Sequence, residues 1–227
     1  MFAPLLAGGT LRDRLIACLG ALVGIAATAF LWSWAGWGIA GLPLLAGPVG
    51  ASAVLLFALP ASPMAQPWPI IGGSTISAIV GVAVAHLIGS PVIAAGVAVA
   101  LAILAMSMLR CLHPPGGAVA LLAVVGGPAI SAAGYRWAFM PIAANEVVLV
   151  MAGWCFHRFS GHSYPHRAPV MPRLPQGIER KDVDSALAEL GETFDISHED
   201  LDLLLRHAAS HAEARRAGFA SGAPTGR

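Results

Sequence analysis

Apolar positions run almost without interruption from Leu15 to Phe156, and no Asp, Glu, Lys or Arg lies between Arg14 and Arg110. His86 and Cys18 are the only titratable side chains in that interval. A soluble fold has no means of solvating such a run, and at about 20 apolar residues per helical span the region holds six or seven segments at most. Six are predicted: about Leu15 to Trp34, Leu42 to Leu59, Ile70 to Ile88, Pro91 to Leu109, Pro114 to Val125 and Trp137 to Phe156. The second contains Gly47, Pro48 and Gly50, and the fifth opens with Pro114, Pro115, Gly116 and Gly117. Each keeps only about a dozen uninterrupted residues, enough to cross roughly half of the hydrocarbon core.

The expected fold is therefore an all-α membrane protein with about four transmembrane helices and two short or re-entrant helices, six full spans being the alternative. Trp32, Trp34, Trp37, Trp68 and Trp137 all fall near the outer interface in the four-span version, whereas six spans move Trp68 to the inner one. Arg12 and Arg14 precede the first span, which reads as an uncleaved anchor rather than a secretory signal. Arg158, Arg167 and Arg173 follow the last, so both termini are expected on the cytoplasmic side of the inner (plasma) membrane, with an even number of crossings.

A two-fold internal repeat is legible. Residues 48–55, Pro-Val-Gly-Ala-Ser-Ala-Val-Leu, align without gaps onto residues 115–122, Pro-Gly-Gly-Ala-Val-Ala-Leu-Leu, at an offset of 67 residues that also carries Trp68 onto Tyr135 and Ile70 onto Trp137. The pattern reads as helix, short helix, helix, repeated once. Transporters built from such repeats place broken or half-helices near the midplane, where free N-terminal amides and the positive end of the helix dipole favour an anion. Pro48, Pro114 and Pro115 suit such a start, and Gly50, Gly116 and Gly117 permit close approach to the backbone.

The run Arg110-Cys111-Leu112-His113-Pro114-Pro115-Gly116-Gly117-Ala118, with Gly47-Pro48-Val49-Gly50-Ala51-Ser52 and Ala65-Gln66-Pro67 ahead of Gly72-Gly73, resembles the HPP family of integral membrane proteins, named for His113-Pro114-Pro115. The likeness covers about residues 12 to 165. It implies a small bundle of about four spanning helices and a transport role, plant members being associated with nitrite. Bacterial relatives often continue into a pair of CBS modules. The residues up to Arg227 show no such pair, and nucleotide regulation is not expected.

Ionisable side chains at membrane depth are functional candidates. Arg110 either attracts an anion or snorkels to an interface. His113 hydrogen-bonds an anion or relays a proton, or else braces the turn before the short helix. Glu146 is a proton-coupling site or an ion pair with Arg110 or Arg136. Ser52, Gln66, Ser74, Thr75 and Ser77 suit weak multi-site contacts to an ion, or bonds between helices. His86 reads as interfacial, and Gly20 and Gly24 as a close-packing face or an oligomer contact.

Composition sharpens this picture. Of 227 residues, 57% are hydrophobic and 11% charged, and the formal charge is +1. The near balance excludes the basic field that nucleic-acid binding needs. Cys18, Cys111 and Cys155 have no metal or disulfide spacing, and His157, His162 and His166 do not announce a metal site, so no metal or cofactor is expected. No nucleophile and base stand at a spacing that demands an enzyme.

Residues 1–14 are expected to be a cytoplasmic N-terminus, 15–157 the transmembrane domain, and 158–176 a Pro-rich linker. Residues 177–216 are read as a cytoplasmic helical hairpin and 217–227 as a disordered tail. In the hairpin, Val183, Ala186, Leu187 and Leu190 line one helix, while Leu201, Leu204, Leu205 and Ala208 line another capped by Ser197 with Asp200. Asp195 to Asp200 lacks the glycine and glutamate of a calcium loop. The functional expectation is a transporter or channel for a small inorganic anion, with the lipid bilayer and a second copy of the chain as partners. The alternative is a non-transporting scaffold or sensor acting through the hairpin.

Overall fold

The computed structural model describes residues 10–35, 47–167, 180–190 and 195–221. Trp37 lies outside the described residues, as do most of the linker and residues 222–227. The chain forms two units, Met1–His166 and Arg167–Arg227. Every regular element among the described residues is helical.

The first unit contains α1 (Leu11–Ala35), α2 (Gly47–Ala58), α3 (Ser74–Leu87), α4 (Pro91–Met108), α5 (Pro114–Val125), α6 (Pro128–Ala133) and α7 (Ala144–Ser160). π-helical turns Pro69–Gly73 and Ala138–Ala143 lead directly into α3 and α7. Four stretches are long and apolar enough to cross a membrane: Leu11–Phe30, Pro69–Leu87, Pro91–Met108 and Ala138–Ser160. Both α2 and α5 have 12 residues, about 18 Å of helix. Leu15, Leu22, Val92, Ile93, Leu104 and Met108 are exposed and form apolar outer faces suited to lipid.

Side-chain contacts fix the helix directions. Gly20 and Gly24 of α1 approach Phe156 and Leu149 of α7 respectively, so these two helices are antiparallel. Arg14 near the start of α1 donates to the Ala58 carbonyl at the end of α2, 3.3 Å away, so α2 is antiparallel to α1 as well. Gly73 faces Cys111 and His113, Gly116 faces Ser77, and Gly81 faces Ala120 and Ala123, so α3 and α5 are parallel. The Trp68 indole N–H donates to the Leu109 carbonyl at 3.1 Å, which sets the start of the second long stretch, Pro69–Leu87, beside the end of α4.

Each short helix therefore ends at the face opposite the end of its preceding long helix. The chain makes six passages with two half-length helices, rather than four passages with two segments that turn back. Trp68 lies at the face where α1 begins, and Trp137 is completely buried. The grouping of tryptophans at one interface fails for these two. The start of α1 and the end of α7 share a face, as an even number of passages requires.

The repeat appears at the level of elements. Each half has a long helix, a 12-residue helix, a short helical turn, a π-helical turn and another long helix, with Gly47–Ala58 and Pro114–Val125 related by the 67-residue offset. The first half begins at one face and the second at the other, an inverted topology. Packing exchanges the third members: α1 packs on α2 and α7, and α4 packs on α5 and α3. Gly20 and Gly24 receive the Phe57 ring. That glycine face is thus occupied within the protomer instead of offering an oligomer contact.

In the second unit, α8 (Arg180–Leu190) and α9 (His198–Ser221) are joined by His198 Nδ1 and Asp184 Oδ1, 3.7 Å apart. Ser197 caps α9 as its sequence predicts, accepting the Asp200 N–H at 3.0 Å. The helix runs to Ser221, past the expected end of the hairpin at residue 216.

Candidate functional site

The π-helical turns end immediately before Ser74 and two residues before Asn145, and such turns insert an extra residue that re-aims the side chains after them. Met140 leaves helical geometry (φ −136°, ψ 106°) next to Pro141, which has no amide to continue the ladder. The outcome is convergence of α2, α3, α7 and the residue capping α5 on one buried polar centre.

At that centre Ser52 Oγ lies 2.9 Å from Glu146 Oε1 and 2.9 Å from His113 Nε2. Ser74 donates its hydroxyl to the same Glu146 Oε1 at 3.1 Å. His113 Nδ1 lies 3.0 Å from the Met64 carbonyl oxygen. Ser52, Ser74, His113, Asn145 and Glu146 are all completely buried. Glu146 Oε2 has no hydrogen-bond partner among the described residues. A buried carboxyl oxygen without a partner is costly, and such groups concentrate at functional sites.

The structure brings together four residues picked from sequence, Ser52, Ser74, His113 and Glu146, and separates others from them. The expected pairing of Glu146 with Arg110 or Arg136 is absent: its bonds go to the two serines. Arg110 and Arg136 are exposed, Arg110 on a turn with φ 54°. A charge can remain solvated there, whereas burial beside Glu146 would require removing both ions from water.

The anion cradle expected at the start of α5 is also largely filled. Pro114 and Pro115 have no N–H, and Gly116 donates its own to the His113 carbonyl at 2.8 Å. A Cβ on Gly116 would sit 2.7 Å from Ser77 Oγ and 2.9 Å from Met106 Sδ, so this glycine serves close packing on α3 and α4. Gly50 is exposed with no described residue within 4 Å of the place its Cβ would take, and Gly117 is half-buried. Pro48 is buried, and its carbonyl oxygen lies 3.3 Å from Ser52 Oγ.

Other polar residues are structural. Gln66 donates to the Pro60 and Ser62 carbonyls and accepts the His166 N–H, pinning the loop that carries Met64. Thr75 bonds the Ile71 carbonyl, and Ser77 meets Met106 Sδ. The His86 ring lies 6.2 Å from the Tyr135 ring, tilted by 55° to it. Among the described residues no cluster of three or more His, Cys, Asp or Glu is arranged to hold a metal. The parts least legible in sequence are the Met64 carbonyl, which any residue type could supply, and the direct role of Ser74.

Long apolar helices, two half-length helices and a buried polar centre at their crossing define a polytopic α-helical membrane protein. The chain belongs to the HPP family: the model of the HPP transmembrane region matches residues 7–165. It is also similar to two transmembrane proteins of Dictyostelium discoideum. One is 36% identical over 129 residues, covering 55% of this chain and 45% of the relative. Another is 35% identical over 120 residues, covering 51% and 38%. The match spans less than half the length of these relatives. No solved structure matches the chain.

Proposed function

We propose that this protein is a transporter, not an enzyme, that carries a small inorganic anion across the membrane together with a proton taken by Glu146. The observation that carries this reading is the placement of the carboxyl: completely buried, bonded to two hydroxyls through Oε1, with Oε2 unpartnered among the described residues. Two like charges 4 Å apart repel by about 4 kcal/mol at an effective dielectric of about 20. An anion therefore passes this centre when Glu146 is neutral, so anion and proton enter together, and for a monovalent anion the cycle is electroneutral.

Inverted repeats with half-length helices support the reading, since secondary transporters place their sites where such helices meet. Nitrite is the first substrate to test, because the family resemblance associates it with plant members. Arg110, exposed three residues before His113, guides the anion to the mouth. Arg12, Arg14 and Arg158 flank the start of α1 and the end of α7, and by the positive-inside rule they support a cytoplasmic placement of that face in an inner-membrane protein.

The test is nitrite uptake into liposomes under an imposed pH gradient, with nitrate, formate and chloride as competitors. Saturable uptake that follows the gradient and disappears in Glu146→Gln is expected. Flux no greater than in empty liposomes, from protein shown to be folded, overturns the reading and leaves α8 and α9 as the part to probe for partners.

A further inference from the structure

We propose that Ser52 is the relay of a proton wire joining Glu146 to His113. The proposal rests on the reading of Glu146 as the proton-coupling carboxyl and adds the path by which its proton moves. The Met64 carbonyl fixes the direction of the bonds. A carbonyl oxygen only accepts, so at 3.0 Å His113 Nδ1 carries the hydrogen and donates it. In a neutral imidazole this leaves Nε2 as a bare acceptor, and the group facing it at 2.9 Å is the Ser52 hydroxyl.

A serine has one hydrogen to give. If it goes to His113 Nε2, the 2.9 Å contact between Ser52 Oγ and Glu146 Oε1 needs a hydrogen from the carboxyl side, so Glu146 is protonated and donates. The order is then Glu146 Oε1–H to Ser52 Oγ, Ser52 Oγ–H to His113 Nε2, and His113 Nδ1–H to the Met64 carbonyl. The Pro48 carbonyl, a competing acceptor for the serine, is more distant at 3.3 Å.

The same heavy-atom geometry holds a second state. Glu146 transfers its proton to Ser52 Oγ while Ser52 transfers its own to His113 Nε2. One O–H bond breaks and one N–H bond forms, and the serine is regenerated with its hydrogen reversed. The result is a carboxylate accepting from Ser52 and an imidazolium donating at both nitrogens. Ser74, which touches Glu146 but has no bond to His113, stabilises either state without joining the wire.

No other ionisable side chain bonds Glu146 among the described residues. At this end of the unit, His157 is held by Ser160 and the Leu56 carbonyl. Tyr164 donates to the Ala65 carbonyl. Buried Cys111 packs two residues before His113. The helices that contribute Ser52 and Ser74 carry no Asp, Glu, Lys or Arg. The wire joins three separate elements, so movement of α2 away from α7 or from the cap of α5 breaks it.

The test is a pH titration of the protonated-carboxyl stretch of Glu146 by difference infrared spectroscopy, on the full chain in lipid vesicles, with the band assigned by its loss in Glu146→Gln. In the parent protein, His113→Gln is expected to displace the band's midpoint by about tenfold or more in proton affinity, the mark of coupled sites. In a Ser52→Ala background the same change is expected to leave the midpoint unmoved, while in a Ser74→Ala background the displacement persists. Ser52→Thr and Ser52→Val repeat the comparison with a side chain of one shape, with and without the hydroxyl, should Ser52→Ala fail to fold. Equal displacement with and without the hydroxyl, or a carboxyl that does not titrate, overturns the wire. Since the readout needs no flux, coupling without nitrite uptake sinks the transport reading alone, and uptake without coupling sinks the wire alone.

Discussion

Gly81 of α3 and Ala120 of α5 approach so closely that a Cβ on the glycine would lie 2.6 Å from the Ala120 carbonyl oxygen. Backbone cannot swing aside as a flexible side chain does, so the parallel pair α3 and α5 must separate to admit any larger residue. Gly81→Leu is expected to destabilise the protein by about 1–3 kcal/mol. Gly50, inside α2 with nothing among the described residues near its missing Cβ, behaves oppositely: Gly50→Ala gains about 0.5–1 kcal/mol of helix stability. Thermal unfolding in detergent checks both. A destabilised Gly50→Ala would mean that this face of α2 is covered.

Arg110 holds a left-handed backbone, φ 54°, between the end of α4 and the approach to His113. That conformation costs a side chain with a Cβ about 1–2 kcal/mol, a cost that glycine avoids. Arg110→Gly is expected to be more stable than Arg110→Ala by about 1 kcal/mol. Unfolding of the two variants side by side separates the backbone effect from the charge, which both remove.

Much of this was legible in the chain because the bilayer imposes simple rules of length and polarity. The extents of α2 and α5 follow from Pro and Gly punctuation, and Glu146, His113 and Ser52 are conspicuous as polar groups at apolar depth. Their partners were not legible. Arg110 is closer to His113 in sequence than Ser52 is, yet it stays at the surface, since charge alone does not reveal depth. Twelve apolar residues also do not say whether the chain turns back or continues across. That was decided by contacts such as Arg14 with Ala58 and Trp68 with Leu109. In sequence Gly116 reads as a place for an ion to approach, and only the position of Ser77 and Met106 shows that it admits a neighbouring helix.

His157 of α7 joins the last turn of α2, its Nε2 lying 3.0 Å from the Leu56 carbonyl and its Nδ1 2.9 Å from Ser160 Oγ. The last carbonyls of a helix have no intrahelical donor, so the imidazole satisfies one that is buried. His157→Phe leaves that oxygen unpaired and is expected to cost about 1–3 kcal/mol. His157→Gln, which keeps a donor, is expected to lose less. Unfolding midpoints of the three proteins rank the effect, and equal losses for Phe and Gln would assign it to shape rather than the hydrogen bond.

Tyr164, just past the end of α7, donates its hydroxyl to the Ala65 carbonyl at 3.0 Å. Burial pushes its phenol well above the usual tyrosine range, and charge on Glu146 adds to the effect. The unfolded chain releases this proton near pH 10, while the folded chain retains it to higher pH. The contribution is therefore fully present below about pH 10 and falls by about 1.4 kcal/mol for each pH unit above it, until the folded phenol also ionises. Tyr164→Phe removes the titrating group and leaves the Ala65 carbonyl without its donor, so the variant starts about 1 kcal/mol lower near neutrality. Its stability curve is expected to be flatter above pH 10 than that of the parent. Unfolding of both proteins across this range gives the two slopes, and parallel slopes would mean that the phenol ionises as readily in the folded chain as in the unfolded one.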